Sequence, residues 1–385
     1  MRILIIQPWI RAGGAELLSV ELAAALEGGG DEAAIATLFV DPRGLPPSTT
    51  ARRYVLPAPW LSRLFARSRS LAFALGPVVL LVLVLRAARR AEVLNPHNLP
   101  APLIAAIVGP LLRRPVVWTC NEVPHALSPD EAQRVGTPDA VVWHVGSLLS
   151  HLAVRIPRDV LVLSDKTRRA VRDAYGRDAV VVRPGVDRLA FRAEHLGTRL
   201  PLNLLLVAKL HPQKDPVLAV RTLAAVRARG VDAALTIVGD GPLRGEVESA
   251  VSALGLAGHV RIERDLDVAS LVDRYRRADV LLVTAGGHQS WGLTPFEAIA
   301  AGTPVVISAE AGAAEVLGPR EAALVAPRDS ESFADAVVRL YREAGLAERL
   351  VANGERVTRE LTWSRYAAAC RAVYARALGA GRTAA

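Results

Sequence analysis

The stretch "LLVTAGGHQSWGLTPFEAIAAGTPVVIS", residues 281 to 308, decides the architecture. An apolar run ending at Thr284 leads into a glycine-bearing loop, then a helix start at Thr294-Pro295, then a second apolar run, "TPVVIS". Strand, helix and strand in that order place two parallel strands in one sheet with the helix laid across it. Within the stretch, Thr294, Pro295 and Glu297 spell Thr-x-x-Glu with proline at the first helical position. That is the pattern of a capping box, in which the hydroxyl and the carboxylate satisfy amides left over at the helix start. A carboxylate so placed can also hold a ligand, and the local sequence leaves both readings open.

Working outward, the same alternation fills the chain. Strand candidates are "RILII", "AAIATLF", "EVLN", "PVVWTC", "AVVWH" and "DVLVLS". After "AVVVRPG" comes a polar break, "RAEHLGTRLP" at 192 to 201, and the alternation restarts with "LNLLLVA", "AALTIVG", "HVRIE", "DVLLVT", "TPVVIS" and "AALVAP". Two such series predict an α/β protein of two doubly wound, Rossmann-like domains, 1–197 and 198–362. The last helical stretch, within 363–385, has no strand partner and is expected to pack back on the first domain.

A chain of 385 residues exceeds one ordinary core. With 51% hydrophobic and 22% charged residues the composition is globular. The two cysteines, Cys120 and Cys370, lie far apart without metal-ligand spacing, which argues against a disulfide framework or zinc site and fits a reducing compartment. A formal charge of +9 favours an anionic partner. No basic motif interleaved with aromatics occurs, so nucleic acid is not expected. The opening "MRILIIQPW" reads as a buried strand rather than a signal peptide. The run "LAFALGPVVLLVLVL" at 71 to 85 is broken by Gly76-Pro77 and falls short of the roughly 20 residues that span a bilayer. Arg63, Arg67, Arg69, Arg86, Arg89 and Arg90 flank it. It reads either as a core helix with solvated arginine ends or as an interfacial helix on anionic lipid.

In open parallel sheets ligands bind beyond the carboxyl ends of the strands, so the loops there are the candidates. Gly13-Gly14 separates the first strand from a helix whose N-terminal amides can face an anion, although a tight turn needs the same residues. In "VAKLHPQKDP", Lys209 and Lys214 lie near one strand end, where two cations can neutralise a diphosphate; solvated lysines are the plain alternative. In "IVGDGPLRGE", Gly239, Gly241 and Gly245 fall one residue off the dinucleotide fingerprint, which is also an ordinary way to turn a corner. Gly292 and Leu293 precede the helix at Thr294 and would present amides to a phosphate. "RDLD" at 264 to 267 has an Asp-x-Asp look, but two carboxylates among arginines fit a solvated loop better than a metal site. His97, in "NPHNLPAP", ends a strand, as a turn residue or a substrate contact.

Taken in order, "GGAELLSVELAAAL", "RPGVDRLAF", "VAKLHPQKDP", "IVGDGP", "RRADVLLVT" and "WGLTPFEAIAAGTPVV" resemble the retaining glycosyltransferases of family 4, with GT-B architecture, over nearly the whole chain. The resemblance implies two Rossmann-like domains facing a cleft, the first meeting the acceptor and the second holding a nucleotide-diphosphate sugar. It implies that Lys209 (arginine in most of the family) and Lys214 hold the diphosphate, and that Gly239 lies in the donor site. The amides of Gly292, Leu293 and Thr294 would then bind the distal phosphate, and Glu297 the ribose diol. Gly14 would approach the donor phosphates or, with Gly13, His97 and Glu122, the acceptor. It implies no bound metal and no cofactor. The lysines and helix amides would stabilise the departing diphosphate, and retention would follow front-face displacement without a protein nucleophile.

Two positions depart from the pattern. Gln289 stands where the family has a second glutamate, eight residues before Glu297, and Asn121 stands where it offers a histidine beside the sugar. An amide keeps hydrogen-bonding capacity and loses charge and basicity, which implies either an altered donor preference, the favoured reading because the phosphate-binding parts are intact, or weak or absent catalysis. The expected activity is transfer of a sugar to a hydroxyl-bearing glycan, lipid-linked or natural-product acceptor, with Asn121, Gln289, Lys209 and Lys214 at the reacting centre. The alternatives are a non-catalytic nucleotide-sugar binder and, on "VGDGPLRG", a nicotinamide oxidoreductase. The expected place is the cytoplasm, with peripheral contact at the inner face of the plasma membrane as the further expectation.

Overall fold

The computed structural model describes residues 1–10, 14–40, 52–55, 69–121, 123, 144–145, 148–197, 200–286 and 291–382. The chain divides into two compact units, Met1–Gly185 with Trp363–Ala385, and Val186–Thr362.

In the first unit, β1 (Arg2–Ile6) sits between β3 (Glu32–Thr37) and β6 (Val93–Pro96), and β5 (Arg52–Val55) adds to β3, all parallel. A single bridge, Leu94 to Val116, carries the sheet on to β7 (Val117–Cys120), β8 (Asp159–Val162) and β9 (Val180–Val181). The short β2 (Trp9–Ile10) and β4 (Phe39–Val40) pair separately. Strand order therefore reverses between β1 and β6. The strands are continuous apolar runs because both faces are covered: Leu4, Ile6 and Leu94 pack with Leu80, Val84 and Ala87 of α2 (Arg69–Ala88) and Ile104 and Val108 of α3 (Ala101–Leu111).

On that unit lies α13 (Trp363–Arg382), which packs against α1 (Gly14–Gly28). Arg371 meets the buried Asp31 carboxylate at 3.1 Å, Arg376 meets Asp159 at 2.6 Å, and Arg158 donates to the Ala377 carbonyl at 2.9 Å. Tyr366, Cys370 and Tyr374 line its buried face, where desolvation pushes the Cys370 thiol up to about 12.

The second unit holds a six-stranded parallel sheet in the order β12 (Val260–Glu263), β11 (Ala233–Val238), β10 (Leu202–Val207), β13 (Val280–Val283), β14 (Val305–Ser308), β15 (Leu324–Ala326). Here the reversal falls between β10 and β13. Leu204, Leu206, Leu235, Ile237, Val280 and Leu282 pack with Phe333 and Val337 from α11 (Ser330–Arg342) in a buried core. Removing each such side chain from water contributes about 1.5–3 kcal/mol.

Two expectations need adjustment. The division falls after Gly185 and not after 197. The polar stretch that reads as a linker is anchored in the second unit, where His195 Nε2 bonds the Ala278 carbonyl at 2.9 Å and the Leu196 amide bonds Arg276 at 3.1 Å. Phe191, from α5 (Arg188–Phe191), packs edge-on against Tyr275. Of the strand expected at "AVVWH", only His144 is described, and it is helical. A short apolar run does not by itself separate strand from helix.

Candidate functional site

Both reversals of strand order mark strand C-termini of the kind at which such sheets bind ligands. In the second unit the segment leaving β10 carries Lys209, exposed, and Lys214, half-buried. The Pro212–Lys214 turn is held from β13: Thr284 Oγ1 donates to the Lys214 carbonyl at 2.6 Å and the Gly286 amide to the Gln213 carbonyl at 2.8 Å. Asp215 follows with φ of +43°, unusual without glycine, and its carboxylate accepts from the Leu218 amide to start α6 (Pro216–Ala228). The two lysines are thus set at the reversal point by neighbouring strands.

Past β13, Gly292 adopts φ of +87° and turns the chain into α9 (Thr294–Ala300). The capping box does not form. Leu293 occupies the cap position without a side-chain bond, so Thr294 is already helical and Glu297 falls one place beyond the box position. The Glu297 carboxylate instead accepts the Tyr275 hydroxyl at 2.7 Å. Tyr275 lies in the last turn of α8 (Val268–Arg277), is fully buried, and its carbonyl accepts Thr303 Oγ1 at 2.6 Å. Although part of Glu297 reaches the surface, desolvation raises its carboxyl to about 7, and the tyrosine bond opposes only part of that rise. Trp291 stacks on Phe296 at 5.1 Å and steadies the helix start. Sequence reasoning missed Tyr275; the aromatic two residues before Arg277 was its only trace.

The glycines of "VGDGP" have a structural cause. A Cβ on Gly239 would lie 1.9 Å from the Ala208 carbonyl oxygen, and one on Gly241 2.5 Å from that of Leu210. They let the β11 loop close on the β10 loop, where Leu210 donates to Asp240 at 3.0 Å. Gly245 has nothing near it. Backbone packing thus accounts for the spacing. In "RDLD", Asp267 caps α8 by accepting the Ser270 amide at 2.8 Å. Among the described residues no cluster of three metal-ligating side chains occurs.

In the first unit, residues just past β1, β6 and β7 form a buried polar row. Asn95 Nδ2 donates to the Val117 carbonyl at 2.7 Å and to Thr119 Oγ1 at 2.9 Å, which leaves Asn95 Oδ1 to accept from His97 Nε2 at 2.9 Å. His97 therefore carries its proton on Nε2 and presents a bare lone pair at Nδ1. Burial lowers its pKa to about 3, so the ring stays neutral. Trp118 Nε1 pins the His97 carbonyl at 3.1 Å, and Asn121 Nδ2 donates to Asn98 Oδ1 at 3.1 Å. Three buried atoms here have no partner: Gln7 Oε1, His97 Nδ1 and Asn121 Oδ1. All three accept hydrogen bonds. Gln7, a fully buried polar residue directly after an apolar strand, is the member that sequence reasoning missed. Gly14 is exposed at the start of α1. Gly13, Glu122 and Gln289 lie outside the described residues.

Two family descriptions cover most of the chain, "Glycosyltransferase Family 4" over residues 12–188 and "Glycosyl transferases group 1" over 190–357. The phosphatidyl-myo-inositol mannosyltransferase of Mycobacterium leprae is 32% identical over 290 residues, 74% of this chain and 73% of that protein. The chain belongs to glycosyltransferase family 4. Among solved structures, this family 4 glycosyltransferase is similar to a sucrose-phosphate synthase from Thermosynechococcus elongatus, with TM-score 0.78 and 20% identity over 98% of this chain and 99% of that one. The Anabaena HepE protein in complex with UDP and glucose aligns with TM-score 0.74 and 18% identity over 97% and 100%. The fold is GT-B, with two Rossmann-like units as the alternation predicts. The family 4 glycosyltransferase takes a nucleotide-sugar donor and a hydroxyl-bearing acceptor, which removes the oxidoreductase alternative.

Proposed function

We propose that this chain is a retaining, metal-independent hexosyltransferase that moves a sugar from a nucleotide-diphosphate sugar to a ring hydroxyl of a lipid-linked polyol. The observation that carries the reading is the pair Lys209 and Lys214 on the segment leaving β10, where strand order reverses. Two cations there offset the charge that develops on the departing diphosphate. Amides of the first turn of α9 have no acceptor within the helix and add to that field, and Glu297 would take the ribose diol. Gln7, His97 and Asn121 offer acceptors and no positive charge, a set suited to hydroxyl donors and unsuited to phosphate or carboxylate. The lipid-linked class is supported by the mannosyltransferase relative, whose name specifies phosphatidyl-myo-inositol.

The test is Lys214→Ala, titrated with nucleoside diphosphates and with the parent nucleosides. A charge-assisted contact contributes about 1.5–3 kcal/mol, so diphosphate affinity should fall on the order of ten- to a hundredfold while nucleoside affinity holds. Equal loss for both ligands would count against the assignment. A binder without catalysis is the second reading, favoured by the uncharged Asn121; turnover of any nucleotide sugar removes it.

A lipid-linked acceptor requires approach to a membrane, and α2 supplies a surface for it. Leu75, Val78 and Val82 are 48–61% exposed on one face, followed by exposed Arg86, Arg89 and Arg90, and the neighbouring α3 exposes Ile107 and Leu111. Among the described residues no helix is long and apolar enough to cross a bilayer, so the contact would be peripheral. Cosedimentation with anionic vesicles that weakens with salt is expected; equal recovery with neutral vesicles at low salt would reject it.

A further inference from the structure

One ion cluster beside the candidate diphosphate site is absent from the sequence-based site. Arg328, two residues past β15, reaches Asp215 Oδ2 at 2.9 Å through Nη1 and Glu310 Oε1 at 3.2 Å through Nε. Its guanidinium lies flat over Gly286, where an added Cβ would sit 3.4 Å from both Cζ and Nη1. Asp215 is the residue after Lys214, Glu310 follows β14, and Gly286 follows β13 and donates to the Lys214 turn. One arginine thus joins the C-terminal ends of four strands around the diphosphate lysine. The positive φ of Asp215 makes this an unusual place for a side chain, since glycine adopts that conformation at less cost.

Two carboxylates beside an anion site are costly to ligand binding. Released, Asp215 and Glu310 would repel the diphosphate and compete for Lys214. Paired with Arg328, their charge is offset, while the Gly286 amide holds the Lys214 turn through the Gln213 carbonyl. We propose that Arg328 is a positioning residue for diphosphate binding, acting by sequestering Asp215 and Glu310 from Lys214. The inference rests on the assignment of Lys214 to the diphosphate.

The experiment uses the full chain, with UDP, GDP and their nucleosides as probes. Arg328→Ala should weaken diphosphate binding about tenfold, change nucleoside binding less than about twofold, and show a smaller penalty as salt rises. Arg328→Lys, which can hold one carboxylate, should fall between. Asp215→Asn, which keeps an oxygen for the α6 cap, should restore diphosphate binding in the Arg328→Ala background to within about threefold of the parent. A merely structural arginine would not be rescued by removing a negative charge. Unchanged diphosphate affinity in Arg328→Ala, equal loss for nucleoside, or absence of rescue overturns the inference while Lys214→Ala still shows its selective loss. If Lys214→Ala shows none, the underlying site assignment is what fails.

Discussion

Glu297 combines a structural and a chemical position. Its carboxyl, raised by burial to about 7, binds its proton more tightly folded than unfolded, where the value is 4.5. Stability from this group is therefore complete below about 4.5 and is lost as pH rises through about 7. Glu297→Gln keeps an acceptor for Tyr275 and abolishes the ionisation. It should melt above the parent at pH 8 and level with it at pH 5. Nucleotide-sugar affinity of the parent should climb from pH 6 to 8 as the carboxylate forms, while the variant stays flat and lower; the diphosphate diester has no proton to lose there. A flat parent profile would remove Glu297 from the ribose. Thr294→Ala should cost less than about 0.5 kcal/mol, because no cap bond exists to lose. The Thr-Pro-x-Glu spacing was legible, but the helix start depends on the turn at Gly292, and the tyrosine partner comes from 22 residues upstream. Tertiary contact removed the capping reading that local pattern favoured.

Elements were more legible than single contacts. All strands of the second unit, and those of the first except β2, β4 and β5, stand where apolar runs alternate with helical stretches, since strands covered on both faces must be apolar throughout. The order of those strands was not legible, because the sequence does not record which edge each crossover takes. Nor was the fate of the run at 71 to 85, read as either core or interface. In the structure Leu80, Val84 and Ala87 of α2 enter the core while Val78 and Val82 face out. Val78→Asp with Val82→Asp should therefore abolish vesicle binding and leave nucleotide titrations and melting nearly unchanged. A large fall in melting temperature would show that this face is covered.

Across the molecule, the two units carry opposite pH responses. His97 in the first stays neutral to about pH 3, so an ordinary histidine value of about 6.5 in the unfolded chain makes that unit lose stability as pH falls from about 6.5. Glu297 makes the second lose stability as pH rises from 4.5 to about 7. Calorimetry from pH 5 to 6.5 should show two transitions, one moving up and the other down. Removing Trp363–Ala385 should lower the first transition alone, since that helix belongs to the first unit. A single transition moving one way would mean that the units unfold as one. The two-unit plan was legible in the polar break; its boundary was not, because His195 and Leu196 look like linker until their bonds to Ala278 and Arg276 are seen.

The buried Cys370 has one more consequence. Cys120 and Cys370 are both buried and both lie in the first unit. Cys370 is fully buried on the face of α13 that packs on the first unit, so an aromatic disulfide reagent under native conditions reaches its sulfur when α13 lifts off that unit. In a Cys120→Ser chain the rate of colour release then counts those excursions, as amide exchange does for backbone protons. The chain thus carries its own clock for the undocking of its last helix, with the second unit silent.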